Sequence, residues 1–461
     1  MSLVQALVLG PLPLMSLASI QDWYVDVNAP SCGTGTGTQA DPFCDVMDAV
    51  AAAADGDTIH IAPGTYYEHV VLDKDLELIG TGGDQVTILD GSSSGRVVEV
   101  PSAAAVTLTG LTLTNGRSVG WPGSPPFSDT AGGLFSYFGS VLLMNSTVTG
   151  NSAIGYPLGC CGGTGKGGGV YSMGGDLTLI DSTVGANYSD LWGGGIECVG
   201  TDLRVIDSKV TANRSRDGSP GIFFDGGGMS SMTIANTTIS GNTVTGPVAY
   251  SGGAVTCLYG AAVIMTSSLI NDNAAGSGVE LRFSSTALIV NSIVERNDGT
   301  GISVGPWFGA DDSTLTLINS TITSNSGAGI RVGVPSSYYP SAQVENSILW
   351  NNGSSLVVGQ YATASVSRSL VEGGWPGAGN LDVNPLFVDS LGDDYRLRHG
   401  SPCIDAGDNS AVPLGITTDI LGLPRFTDDR LTRDTGVGAP PVVDMGAHEG
   451  SVLVGPRARR P

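Results

Sequence analysis

The chain has 461 residues with 69 Gly and 24 Pro, 14% charged and 6% aromatic side chains, which is too apolar for disorder and too rich in glycine for a helical protein. Its 20 basic against 43 acidic residues give a formal charge of −23, which repels phosphate backbones and argues against a nucleic-acid partner. What survives is a class built of strands and turns, because the glycines cluster between short runs of Val, Ile, Leu and Thr.

Residues 1–19 form an apolar stretch ending in small residues at Ser16, Ala18 and Ser19, the pattern of a secretory signal, though no Lys or Arg precedes the run. A secreted or outer-surface setting is the expectation, and no later segment has the ~20 unbroken apolar residues of a membrane helix. Cys32 and Cys44 flank a short Gly/Thr-rich loop and read as a local disulfide, which fits an oxidising compartment. The vicinal Cys160 and Cys161 suit either a disulfide or two thiols, Cys198 and Cys257 read as buried apolar residues, and the state of Cys403 is left open.

Residues 22–115 read as an amino-terminal cap and first coils, with one short helix over Val46–Ala54 and strands at Thr58–Ala62, Leu76–Ile79, Val86–Leu89 and Val106–Leu113. From residue 141 a phrase recurs: VLLMNSTVTGN (141–151), LTLIDSTVGAN (177–187), LRVIDSKVTAN (203–213), MTIANTTISGN (232–242), and on to AQVENSILWNN (342–352). A second phrase alternates with it, as in GGGVYS (167–172), GGGIEC (193–198), GGGMSS (226–231) and GGAVTC (252–257). A period that drifts while the phrases persist marks a solenoid with insertions on one side. In the second phrase Val170, Ile196, Met229 and Val255 should point inward, with Tyr171, Glu197, Ser230, Thr256 and Glu280 on the outer line. Three short strands per turn over about a dozen rungs give a parallel β-helix, roughly 55–60 Å long at the strand spacing.

Stacked rungs also account for the asparagines. Asn145, Asn236, Asn291 and Asn319 recur at one corner and Asn151, Asn187, Asn213, Asn242, Asn297 and Asn325 at the next, where amides can bond up and down the stack, so these are structural residues. Residues 116–380 form the repeat region. The stretch 381–450 breaks the repeat, concentrates Asp, Pro and Arg, and reads as an irregular closing cap with a buried charge network of Asp405, Asp408, Asp419, Arg425, Asp444 and Glu449. Residues 451–461 read as a flexible tail.

Three motifs carry a resemblance. GDTIHIAPGTYYE (56–68) is similar to the opening cap of secreted bacterial right-handed β-helix proteins of the pectin-lyase-like fold. GGAV (252–255) with VTGN, VGAN, VTAN, ISGN, INDN, VERN and ITSN resembles the repeats of polymorphic outer membrane proteins, with Val or Ile where that family carries Phe. SPCIDAGD (401–408), TDILGLPR (418–425) and VDMGAHEG (443–450) resemble the segment that precedes cell-surface anchors in bacterial secreted proteins. The resemblance implies an exported surface protein that acts by binding or adhesion, with polysaccharide or cell-surface glycan as the partner and a monomer as the expected state. It also implies the alternative, a lyase or hydrolase of acidic polysaccharide, whose substrate would lie along the corner after each terminal Asn.

That corner brings together Lys166, Arg214, Arg216 and Glu197 as catalytic candidates and Trp192, Asp190, Asp217 and Trp307 as ligand-binding candidates. A lyase there needs a Lys or Arg base and a cation, Ca²⁺ among them, to neutralise the substrate carboxylate. Solvated Arg–Asp pairs, worth ~0–1 kcal/mol each, are the plain alternative. Trp121, Trp192, Trp307 and Trp375 lie in loops, where a ring can stack on a sugar or anchor the loop. The four His, at 60, 69, 399 and 448, all fall in the two end segments, so the reading places none along the rod.

Overall fold

The protein is described by a computed structural model over residues 20–30, 32–120, 127–155, 164–246, 252–305, 312–333 and 339–452. The signal-like segment, Cys160, Cys161, Trp121, Trp307 and the tail from residue 453 lie outside the described residues.

Alternation of apolar and polar residues over two or three positions, interrupted by left-handed turns, produces short strands that pair with the same strand of the next coil. Among the described residues this gives sheets of 13, 12 and 11 strands, every ladder parallel. A coil runs from the first sheet (as Asp176–Ile180) through a tight corner to the second (Thr183–Gly185), round a second corner, and into the third (Ile196–Val199). Just after the second corner a smaller five-stranded sheet forms from Arg117–Val119, Ser152–Ile154, Tyr188–Ser189, Arg214–Ser215 and Thr243–Val244. The strand expected over 106–113 is two, Ala105–Thr109 and Thr112–Thr114, because Gly110 turns at φ +66° between them.

Inward side chains stack by type. Val148, Val184, Val210, Ile239, Ile270, Val294, Ile322 and Leu349 make one buried column of the second sheet, each worth about 1.5–3 kcal/mol of apolar burial. At the second corner Asn151, Asn187, Asn213, Asn242, Asn273, Asn297, Asn325 and Asn352 form a ladder. From Asn187 on, each amide oxygen accepts from the backbone N–H and the Nδ2 of the Asn one coil before, as Asn213 Oδ1 does at 3.1 and 3.0 Å from Asn187, while Asn151 Oδ1 starts the ladder by accepting from the Gly116 N–H. At the first corner Asn145, Asn236, Asn291 and Asn319 superpose in left-handed conformation at φ 46–52°. There the main chain is satisfied by the following hydroxyl: Ser146, Ser182, Ser208, Thr237, Ser268, Ser292, Ser320 and Ser347 each donate a backbone N–H to the hydroxyl of the next coil.

One coil departs from the expected register. Met229 is 95% exposed, and the inward pair of that coil is Ile222 and Phe224 on the strand Ile222–Asp225. The triplet Gly226–Gly228 belongs to the turn leaving the third sheet, with Gly227 and Gly228 at φ +56° and +85°, so the glycine-rich phrase marks a different corner there.

The Val46–Ala52 helix lays Val46, Ala49 and Val50 on the first coil. Glu68 accepts the N–H groups of Val46 and Met47, and Lys74 Nζ donates to the carbonyls of Val50 and Ala53, so both helix ends are satisfied from the coils. Cys32 and Cys44 are joined by a disulfide, and Cys198, Cys257 and Cys403 are buried thiols.

At the other end Trp375 packs on the main core, while Asn380 receives the N–H of Ser369 at the end of the hydroxyl ladder. The stretch 381–450 instead folds back along the flank. Asn291, Asn319 and Asn346 donate Nδ2 hydrogen bonds to the carbonyls of Thr418, Asp444 and Asp408, and Ile293, Ile348 and Leu370 share a second core with Tyr395, Leu397 and Met445. Among the described residues no helix is long and apolar enough to cross a membrane.

Candidate functional site

The outer line of the third sheet places Glu99, Phe135, Tyr171, Glu197 and Phe223 side by side on successive coils. Residues up to 36 apart in sequence thus become neighbours at the strand spacing of ~4.8 Å. This line faces away from the core, yet beyond the part-exposed Glu99 it is not open to solvent. Glu197 lies between inward Ile196 and Cys198 and is 0% exposed, because the loop through Trp192 and Gly193 folds over it.

Glu197 is the most perturbed group of the patch. Burial pushes its carboxyl up to about 8; Lys166 opposes this, while Asp225 and Asp129 push the same way. Lys166 Nζ stands 3.7 Å from Oε1, and neither carboxyl oxygen accepts a hydrogen bond of ordinary geometry. Lys166 also lies 5.3 Å from the centre of the Trp192 ring, which stacks on Phe223 at 4.7 Å and 11°. Trp192 is therefore a packed, half-buried ring.

Arg216 is held between Asp190 and Asp217, 3.4 Å from each, and Asp190 also accepts from the Tyr188 hydroxyl and the Gly155 N–H. The ion pairs keep the Arg216 guanidinium above its ordinary value, which unfits it as a base. Arg214 is exposed, one strand beyond Tyr188 in the small sheet, and forms no ion pair among the described residues. The patch thus joins Lys166 to Glu197 and Trp192, and Arg216 to Asp190 and Asp217, while Arg214 stands apart.

The sequence reading missed the groove two coils nearer the amino terminus. A cavity of about 510 Å³ is lined by His69, Ser94, Arg96, Glu99, Arg117 and Ser128, among others. Arg96 pairs with Glu99 at 3.0 Å, donates to the Thr130 carbonyl, and sits 4.1 Å over the Phe135 ring. His69 Nδ1 meets the Arg96 carbonyl at 2.6 Å and Nε2 the Ser94 hydroxyl at 3.0 Å. His69 was expected in the cap; it lies beside Val70–Val71, the first strand of the third sheet, and so opens onto the rod.

A family model for the right-handed β-helix region matches residues 194–374. No curated protein matches the chain. Among solved structures it is similar to the pectate lyase Pel9A, at 16% identity over 94% of this chain and 97% of that one, with a TM-score of 0.51. XylC in complex with xylose (10% identity, 93% and 98% covered, TM-score 0.48) and the mannuronan C-5 epimerase AlgE6 A-module of Azotobacter vinelandii (15%, 78% and 100%, 0.39) are more distant in shape. With the parallel ladders and the repeat, the family-model match and the likeness to Pel9A make the chain a right-handed parallel β-helix of the pectin-lyase-like fold.

Proposed function

We propose that the protein is secreted or displayed at the cell surface and binds an extended, acidic polysaccharide along the outer face of the third sheet, in an adhesive role. The observation that carries this is the pair of accessible cationic edges bordering the enclosed line Phe135–Tyr171–Glu197, with Arg96 and Arg117 lining the groove beside Glu99 at one end and the part-exposed Lys166 at the other. A linear array with cations at both ends suits a linear polymer bearing carboxylates, in a chain whose net charge is otherwise −23. The resemblance of the repeats and of 401–450 to exported surface proteins supports the setting, as does the Cys32–Cys44 disulfide.

Affinity electrophoresis against a panel of uronic-acid polysaccharides tests the reading. Retardation by at least one of them, weakened ~10-fold or more in Arg117→Ala and Lys166→Ala, is the expected result. Equal mobility with every glycan sinks it.

A polysaccharide lyase or hydrolase is the second reading, favoured by one observation, the raised carboxyl of Glu197 beside Lys166. In a lyase, neutral Lys166 would take the proton from C5 and protonated Glu197 would return one to the departing oxygen, leaving an unsaturated uronate. The burial of Glu197 stands against it, since a general acid must touch its substrate. Absorbance of unsaturated product with and without Ca²⁺, lost in Glu197→Gln, would establish this reading over binding alone.

A further inference from the structure

Far from the third sheet, the carboxylates of Asp405, Asp428 and Asp434 converge, with one oxygen of each within 4.8 Å of the others. Asp405 follows Cys403 and Ile404, which are buried in the flank core, and is itself 0% exposed; Asp428 and Asp434 stand at the surface. Neither oxygen of Asp405 accepts a hydrogen bond of ordinary geometry. The backbone N–H of Asp429 offsets only part of the effect of burial and of the Asp434, Asp428 and Asp429 charges, which hold the Asp405 carboxyl up at about 6. Asp429 itself faces His399 at 3.6 Å. Arg430 and Arg433 lie on the same loop but are exposed and pair with none of the three carboxylates.

A buried carboxylate without a partner is costly unless something neutralises it. Oxygen ligands around Ca²⁺ sit at about 2.3–2.6 Å, so two on opposite sides lie about 4.6–5.2 Å apart, and the three carboxylates can close on one ion with little movement. The smaller Mg²⁺ needs about 4.0–4.2 Å and stricter octahedral geometry. We propose that Asp405, Asp428 and Asp434 form a Ca²⁺ site that clamps the loop 427–436 against the flank segment, with Asp405 as its buried anchor. The backbone already prepares the clamp, since Thr435 and Gly436 donate their N–H groups to the Asp405 carbonyl at 2.9 and 3.0 Å. The site does not depend on the polysaccharide reading.

The test uses the full chain stripped with EDTA, titrated with CaCl₂ by calorimetry and followed by hydrogen exchange across 427–436. One equivalent of Ca²⁺ should bind, and exchange in that segment should slow about tenfold or more. Mg²⁺ at the same concentration should do neither. Both effects should vanish in Asp405→Asn and in Asp428→Asn/Asp434→Asn, whose changes at exposed positions leave the fold intact. The absence of a saturable equivalent at millimolar Ca²⁺, or full binding in either variant, overturns the site.

Discussion

Lys166 Nζ and Glu197 Oε1 stand 3.7 Å apart across one coil, yet the cation does not hold the carboxyl ionised, because Glu197 is fully enclosed and Lys166 is part-exposed. Burial outweighs the nearby charge. At neutral pH Glu197 is best described as a protonated acid enclosed beside the Lys166 side chain.

This has a signature in stability. The Glu197 carboxyl titrates at about 8 in the fold against an ordinary 4.5. Between those values the folded chain keeps a proton that the unfolded chain has released, so stability falls as pH rises from about 4.5 and levels off above about 8. The loss is on the order of a few kcal/mol. Glu197→Gln should flatten this window and be the more stable protein at pH 9. Urea midpoints at pH 5, 7 and 9 read it directly; the same decline in both proteins would refute the assignment.

The asparagine ladder and the glycine phrase are one device. A Cβ on Gly195 would lie 2.8 Å from Asn213 Nδ2 and 2.8 Å from the Gly221 carbonyl, and Gly169 meets Asn187 in the same way one coil earlier. Gly195→Ala should therefore cost about 1–3 kcal/mol by overpacking, although Ala254 occupies the corresponding place in one coil. Asn213→Ala leaves the Asn187 backbone N–H buried without an acceptor and should cost about 1–3 kcal/mol. Equilibrium unfolding checks both, and a loss under 0.5 kcal/mol for Asn213→Ala would show that the ladder is not what holds the corner.

These repeats were readable because every coil states them again. The ladder from Asn151 to Asn352 and the column from Val148 to Leu349 follow from a phrase printed many times over. Register failed where one phrase imitated another: Gly226–Gly228 look like the approach to the third sheet but turn the chain after it, which puts Met229 outside. The site was least readable. His69, Arg96 and Arg117 converge only because coils stack, and their spacing of about 20–27 residues is the coil length, which carries no chemical signal. The flank segment shows the same limit, since its contacts with Asn291, Asn319 and Asn346 span more than sixty residues of sequence.

The Val46–Ala52 helix covers the open apolar end of the rod, and Glu68 is what ties down its first turn. Glu68→Ala removes the acceptor for two N–H groups and should cost about 1–2 kcal/mol, with faster hydrogen exchange confined to residues 46–53. Glu68→Gln retains one amide oxygen and should fall between. Exchange that speeds up evenly over the whole rod would mean that the helix is not a separate cap.

In the flank segment Arg425 is buried completely among acids. Its Nη2 donates to the Gly446 carbonyl, Nε lies 3.6 Å from Glu449, and Asp444 and Asp419 surround it. Burial lowers the guanidinium's value, while burial together with Asp444 raises that of Glu449. Arg425→Met fills similar volume but removes the cation beside Asp444 and Glu449, two carboxyls that already resist ionisation, and should cost about 3–5 kcal/mol at pH 7. The loss should ease at pH 5, where Asp444 and Glu449 can hold protons, and deepen at pH 9. Arg425→Met/Glu449→Gln should recover part of it, because one of the stranded carboxyls is gone. Unfolding of the flank, followed by the Tyr395 and Phe387 side of the second core, reports on this separately from the rod. If the single variant loses stability equally at every pH, Arg425 acts by packing alone and the charge argument fails.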